Sequence, residues 1–148
     1  MRNKPVLNLD HFIPYRLSVL TNRVSGAIAR HYSDRFSLSI PEWRVMAALG
    51  QTPGLSARQV AERTAMDKVQ VSRAVQSLLE AKRLTRGTHC EDGRVSQLSL
   101  SPQGLAIYKE LVPVALELER EFLSVLDAAE RKLLDRLLTK LSTAVPKS

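Results

Sequence analysis

The chain has 148 residues, of which 44% are hydrophobic and 25% charged, the composition of one globular domain rather than a disordered segment. No run reaches the roughly 18 uninterrupted apolar residues of a membrane span, the start MRNKPVLNLDHF lacks the apolar block of a secretion signal, and a single cysteine excludes an intramolecular disulfide, so the expected location is the cytoplasm. The net charge of +7 points to nucleic acid or another anionic partner, and it is unevenly spread: Met1 to Leu55 holds 7 basic and 3 acidic residues, Ser56 to Arg94 holds 8 and 5, and Val95 to Ser148 holds 7 and 7.

In chain order, a first helix is predicted over IPYRLSVLTNRVSGAIARHYSDRF, with Pro14 in its first turn. Leu17, Leu20, Val24, Ala27, Ile28 and His31 follow at helical spacing, which makes His31 a core or interface histidine. A second helix, SIPEWRVMAAL, opens with Ser39 and Glu42 at capping-box spacing and ends at Gly50 and TPG. A short third helix, SARQVAERT, repeats the box with Ser56 and Gln59. A fourth, DKVQVSRAVQSLLEAKR, repeats it again with Asp67 and Gln70. LTRGTHCEDGRVSQLSLS then has strand-forming residues on both sides of Asp92-Gly93, a hairpin signal. Ser101-Pro102 opens a long helix in which Pro113 is expected to produce a kink. Asp127 and Glu130 cap a last helix with Leu134, Leu137, Leu138 and Leu141 on one stripe.

This order defines a mainly α fold with a small β-hairpin wing: a winged helix-turn-helix flanked by terminal helices. Such a unit suits duplex DNA, because one helix enters the major groove and the hairpin reaches the neighbouring backbone or minor groove. At 100° per residue, Val71, Ala74, Val75, Leu78 and Lys82 of the fourth helix cluster on one face, the buried one. Val69, Gln70, Arg73, Gln76 and Ser77 point the other way, with Lys68 and Ser72 on the flanks. Arginine suits guanine, glutamine suits adenine, and an apolar group suits the thymine methyl. An ordinary amphipathic surface helix shares this pattern. The capped helix before it and the hairpin after it favour DNA.

LSIPEWRVMAAL, LSARQVAERTAMDKVQVSRAVQSLLEAKRLTR and EDGRVSQLSLSPQG together resemble the MarR family of bacterial transcriptional regulators, over roughly Leu9 to Leu141. The wing pattern Asp-x-Arg followed by Leu-Ser-Pro-x-Gly, in this order after the recognition helix, is the more specific part. The resemblance implies a homodimeric winged helix that binds pseudo-palindromic promoter DNA, usually as a repressor, with release by small aromatic or anionic ligands. It implies that Arg94 enters the minor groove and that Asp92 supports the wing. The candidate DNA-binding set is Ser56, Arg58, Lys68, Val69, Gln70, Ser72, Arg73, Gln76 and Arg94. Gly93 stands where many family members carry a charged residue, which implies one fewer phosphate contact.

His89 and Cys90 sit in the predicted wing tip. Consecutive strand residues point to opposite faces, so they diverge, and metal ligation needs three or four convergent groups. Glu91 and Asp92 oppose a stabilised thiolate at Cys90. No metal or cofactor is therefore expected, and no phosphate loop, nucleophile elbow or paired metal histidines suggest an enzyme. A redox response through Cys90, or a regulator without any ligand response, are the competing readings.

The neutral, leucine-rich C-terminal third has too little to bury against in one chain. Residues 9–36 and 101–145 are accordingly assigned to dimerisation and 39–100 to the DNA-binding lobe, within a single 148-residue unit. Two copies would present recognition helices to half-sites about one helical turn apart. In the first helix Arg16, Arg23 and Arg30 are spaced by sevens. A solvated face explains Arg30. Arg16 and Arg23 leave two readings open, a solvated face or an anion site, since the planar guanidinium fork matches carboxylates. In the second case His11, Tyr15 and Trp43 would supply walls for an aromatic carboxylate or an acyl-coenzyme A thioester.

Overall fold

The structure is a computed structural model, and it describes residues 4–88 and 96–146. Helix α1 (Ile13–Phe36) is preceded by a single 3-10 turn, Leu9–His11, whose Asn8 Oδ1 accepts from the Asp10 amide at 3.1 Å. It is followed by α2 (Ile40–Gln51), α3 (Ala57–Thr64), α4 (Lys68–Glu80), strands β1 (Leu84–Thr88) and β2 (Ser96–Leu100), α5 (Pro102–Leu123) and α6 (Ala128–Ala144). The architecture is a winged helix of the expected class.

Local chemistry sets the helix starts. Ser39 Oγ accepts from the Glu42 amide while Glu42 Oε1 accepts from Ser39 N–H, and Ser56 and Gln59 do the same for α3. Asp67 departs from the expected box. Its Oδ1 alone accepts from Val69 N–H at 2.8 Å and Gln70 N–H at 3.1 Å, and the reciprocal bond from the Gln70 side chain is not formed. One carboxylate oxygen satisfies both amides, so Gln70 stays free on the outer face. Between α3 and α4 the chain turns through Ala65, a left-handed residue (φ 52°) whose N–H closes onto the Ala61 carbonyl.

The core forms where α2, α3 and α4 meet the strands and the start of α5. Val45, Met46 and Leu49 of α2, Val60 of α3, and Val71, Ala74, Val75 and Leu78 of α4 are buried with Leu84, Leu98, Ile107 and Leu111. Each large side chain fully buried here contributes about 1.5–3 kcal/mol. The α4 face agrees with the predicted wheel except at Lys82. The helix ends at Glu80, its periodicity does not reach Lys82, and that residue is exposed with φ 60°. His31 is not a core residue of this chain, so of the two expected roles only that at an interface is left to it. It is exposed, and Tyr32 is the buried residue of α1. Only the C-terminal part of α1 meets the core, along Ile28, Tyr32 and Phe36, and the i, i+4 line through them leaves His31 outside.

The strands pair antiparallel from Leu84↔Leu100 to Thr88↔Ser96. Leu98 is also bonded on its other edge: its N–H donates to the Leu55 carbonyl and its carbonyl accepts from Gly54 N–H, both at 2.8 Å. Gly54 adopts φ +87° to make this approach. His89, Cys90, Asp92, Gly93 and Arg94 lie outside the described residues.

A clasp joins α5 to the α4–β1 turn. The buried Ser101 hydroxyl donates to the Lys82 carbonyl at 2.7 Å and accepts from Gly104 N–H at 3.0 Å, while Ser101 N–H donates to the Arg83 carbonyl at 3.0 Å. A Cβ on Gly104 would stand 2.0 Å from that same carbonyl oxygen. The Leu-Ser-Pro-x-Gly motif is therefore a packing device. Arg83 adds a bond from Nη2 to the Phe36 carbonyl at 2.7 Å.

The chain divides into two compact units, Met1–Val112 and Pro113–Ser148. Pro113 lies inside α5, which is assigned as one helix through it. In the second unit the described part of α6 has no buried residue, and Leu116, Phe122, Leu133, Leu137, Leu138 and Leu141 are exposed.

Candidate nucleic-acid interface

With four apolar residues of α4 committed to the core, the rest of the helix faces outward. Lys68, Val69, Gln70, Ser72, Arg73 and Gln76 are all exposed, and Val69, at 56%, is an apolar side chain with no packing role in the chain. The Asp67 cap fixes where this face begins. Neither Lys68 nor Arg73 forms a salt bridge among the described residues, so both cations remain available to phosphate or base edges.

The C-terminal half of the face is engaged locally. Gln76 Nε2 donates to Glu80 Oε1 at 3.0 Å, and Ser77 Oγ donates to Glu42 Oε2 at 3.1 Å. Ser77 thus braces α4 against α2 rather than pointing freely outward. A groove of about 190 Å³ runs beside it, lined by Pro41 and Glu42 of α2 and by Gln70 and Arg73 of α4. In α3, Arg58 pairs with Glu62 at 3.2 Å, and half-buried Ser56 holds the α3 cap while keeping its own proton to donate. Among the described residues the unengaged set is Lys68, Val69, Gln70, Ser72 and Arg73, the first turns of α4. Asp92 and Arg94 lie outside the described residues.

The residues suggested for an effector are only partly brought together. His11, Tyr15, Arg16 and Arg23 are exposed on the N-terminal helices. Trp43 is half-buried, with its ring centroid 5.8 Å from Tyr32 and 6.2 Å from Tyr108. Tyr108 lies against Gly50, where a Cβ would stand 2.4 Å from its ring. Burial raises the pKa of the Tyr32 phenol above 10.0, and the nearby Arg44 cation partly opposes this. Trp43 borders an open cleft of about 650 Å³ whose other walls are Arg44, Ala47, Ala48 and Gln51 of α2 and Arg63 of α3. Sequence reasoning missed Arg44 and Arg63. The only available signal was the i, i+3, i+4, i+7 spacing of Arg44, Ala47, Ala48 and Gln51, which puts two small residues on one helical face. No cluster of three or more metal-ligating side chains occurs among the described residues, and no described helix is long and apolar enough to cross a membrane.

A capped support helix, a recognition helix with a polar outer face and a two-stranded wing together define a winged helix-turn-helix DNA-binding protein. The MarR family model matches residues 36–95, which run from the end of α1 through β1 and stop one residue short of β2. The HTH-type transcriptional repressor Rv2887 of Mycobacterium tuberculosis is 26% identical over 133 residues, 89% of this chain and 92% of that protein. A MarR/EmrR family regulator from Acinetobacter sp. ADP1 superposes with a TM-score of 0.84 at 28% identity, over 93% of this chain and 96% of its own. BpsR of Bordetella bronchiseptica, solved for the regulation of its DNA binding by 6-hydroxynicotinic acid, superposes at 0.82 with 25% identity, over 95% and 100%. The winged-helix segment thus matches the MarR family of transcriptional regulators, and the chain as a whole is similar to DNA-binding regulators of that kind.

Proposed function

We propose that the protein is a homodimeric repressor that binds a pseudo-palindromic promoter site and is released by a small anionic or aromatic effector. The observation that carries the DNA reading is the unengaged first half of α4, where Lys68, Val69, Gln70, Ser72 and Arg73 are exposed on a helix fixed from behind. Arg73 and Gln70 are assigned to base edges, Val69 to a thymine methyl, and Lys68 and Ser72 to phosphates. Ser56, Arg58 and Gln76 are assigned to the flanking backbone. Arg94 is assigned to the minor groove, with Asp92 holding the wing.

Dimerisation is supported by the apolar residues left uncovered at both ends of the chain. Leu17 and Leu20 of α1 are exposed, as are Leu133, Leu137, Leu138 and Leu141 of α6. A second copy would cover them and supply the second half-site reader. Residues 9–36 and 101–145 are assigned to this role and 39–100 to the DNA-binding lobe.

The effector class is supported by the relative whose DNA binding is regulated by 6-hydroxynicotinic acid, an aromatic acid. Arg16 and Arg23, with His11, Tyr15 and Trp43, are assigned to its recognition. A tenfold loss of DNA affinity requires about 1.4 kcal/mol of coupling between the two sites.

The test is selection of fragments from the source genome, followed by footprinting over a range of salt. The reading requires one two-fold-related motif protected as two half-sites. Binding that follows salt but not sequence would point instead to an acidic protein partner and refute it.

A further inference from the structure

Helix α2 turns Val45, Met46 and Leu49 into the core and presents Arg44, Ala47, Ala48 and Gln51 to the 650 Å³ cleft. Half-buried Arg44 donates from Nη2 to Ser25 Oγ at 3.1 Å. Arg63, reaching over from α3, donates from Nη1 to Thr52 Oγ1 at 2.8 Å. Both partners are neutral hydroxyls. Among the described residues no carboxylate lies within salt-bridge distance of either guanidinium. Each arginine has five N–H donors, so each keeps its charge and most of its fork for another acceptor.

The two cations stand at opposite ends of the cleft. Arg44 is in the first half of α2, whereas Arg63 is tied to Thr52, the C-cap of that helix. At a rise of about 1.5 Å per residue, positions 44 and 52 are roughly 12 Å apart along the axis. Between them the floor is the methyl groups of Ala47 and Ala48, and one wall is the Trp43 indole, held by Tyr32 and Tyr108. The volume falls within the range of about 300–1,000 Å³ typical of small-molecule sites.

We propose that this cleft binds an elongated dianion, with two acidic groups at the ends of an apolar, preferably aromatic, body and one guanidinium fork on each. The site lies within the DNA-binding lobe and shares only Trp43 with the effector set proposed above. Any regulatory consequence rests on the effector reading above, but binding itself does not.

The chain has one tryptophan, so its emission reports on this cleft. The probes are biphenyl-4,4′-dicarboxylate, biphenyl-4-carboxylate and the neutral dimethyl ester. Calorimetry reads affinity, and Trp43 emission reads location. The dicarboxylate is expected to bind at least about tenfold more tightly than the mono-acid, the scale of one added charge-assisted bidentate contact. R44Q and R63Q should each reduce it to the affinity of the mono-acid, while both variants bind DNA as wild type does when no probe is present. A47L, which fills the floor without touching a charge, should abolish the emission change and serves if an arginine variant fails to fold. Equal affinity for the three probes, dicarboxylate binding that survives R44Q and R63Q, or no heat and no emission change would each overturn the proposal. If the dicarboxylate binds as described but leaves DNA affinity unchanged, the cleft has no part in releasing DNA and the binding proposal stands. If wild type shows no sequence preference on DNA, the function proposed above fails, and the calorimetry still decides the site.

Discussion

Gly104→Ala adds a single methyl group where α5 crosses the α4–β1 turn. The new Cβ would stand 2.0 Å from the Arg83 carbonyl oxygen, 3.0 Å from its carbon and 3.4 Å from its Cα. All three are backbone atoms, so no side chain can swing aside. To reach an ordinary contact the two segments must separate by more than an ångström. That movement breaks the 3.0 Å bond from Ser101 N–H to the same carbonyl and strains the Ser101 hydroxyl bond to Lys82. Overpacking of this kind costs about 1–3 kcal/mol, and the lost backbone bond about 1 kcal/mol more. Alanine returns about 1 kcal/mol through its helix propensity. The net expectation is a loss of roughly 1–3 kcal/mol, a large share of the 5–15 kcal/mol typical of a domain. Urea unfolding of wild type and variant at one protein concentration measures it, since assembly would otherwise shift the midpoint. A variant as stable as wild type would show that the clasp tolerates a side chain and that the reasoning from close approach is wrong.

Arg73→Ala is expected to cost about 1–3 kcal/mol in specific DNA binding and to relax one base position per half-site, read by mobility shifts across single-base variants of the selected site. Arg94→Ala should weaken binding to all sites alike and lower the salt slope by about one, with Asp92→Ala giving part of the same change; a base-specific loss would contradict this. Ala65→Gly should stabilise the protein by about 1 kcal/mol, because a left-handed alanine carries a cost that glycine does not; no gain in thermal unfolding would mean the turn is not strained. The raised pKa of Tyr32 means that the folded protein holds this proton more tightly than the unfolded chain. Its contribution to stability is thus complete below pH 10.0 and is lost as pH rises through the folded value. Tyr32→Phe should lose less stability than wild type over that alkaline interval, and parallel curves would remove Tyr32 from the account.

What was legible in the sequence is what depends on near neighbours in the chain. Ser39 with Glu42, Ser56 with Gln59 and Asp127 with Glu130 fixed three helix starts, because a cap is settled within four residues. The two faces of α4 were legible for the same reason. Errors arose where a pattern was continued past its element, as at Lys82, or where the partner surface set which stripe is buried, as with Tyr32. The Arg44–Arg63 cleft was not legible at all, since it exists only once α3 is laid against the end of α2. The Leu-Ser-Pro-x-Gly string was visible as a motif, but its cause required the carbonyl of Arg83 on the other side of the hairpin. Gln76 and Ser77 show the same limit: their direction followed from the wheel, but their engagement by Glu80 and Glu42 did not.

Helix α2 has two working faces, one in the core and one on the cleft, and between them they use most of its circumference. Each residue of a helix advances the chain by about 100°. One inserted or deleted residue within Ile40–Gln51 would therefore turn every later side chain by more than a quarter of a circle, carrying Leu49 out of the core and a polar neighbour into it. Changes of side chain can be absorbed one position at a time, but a change of length here cannot. Related chains that fold the same way should accordingly keep this helix free of gaps and vary in length elsewhere, such as between β1 and β2.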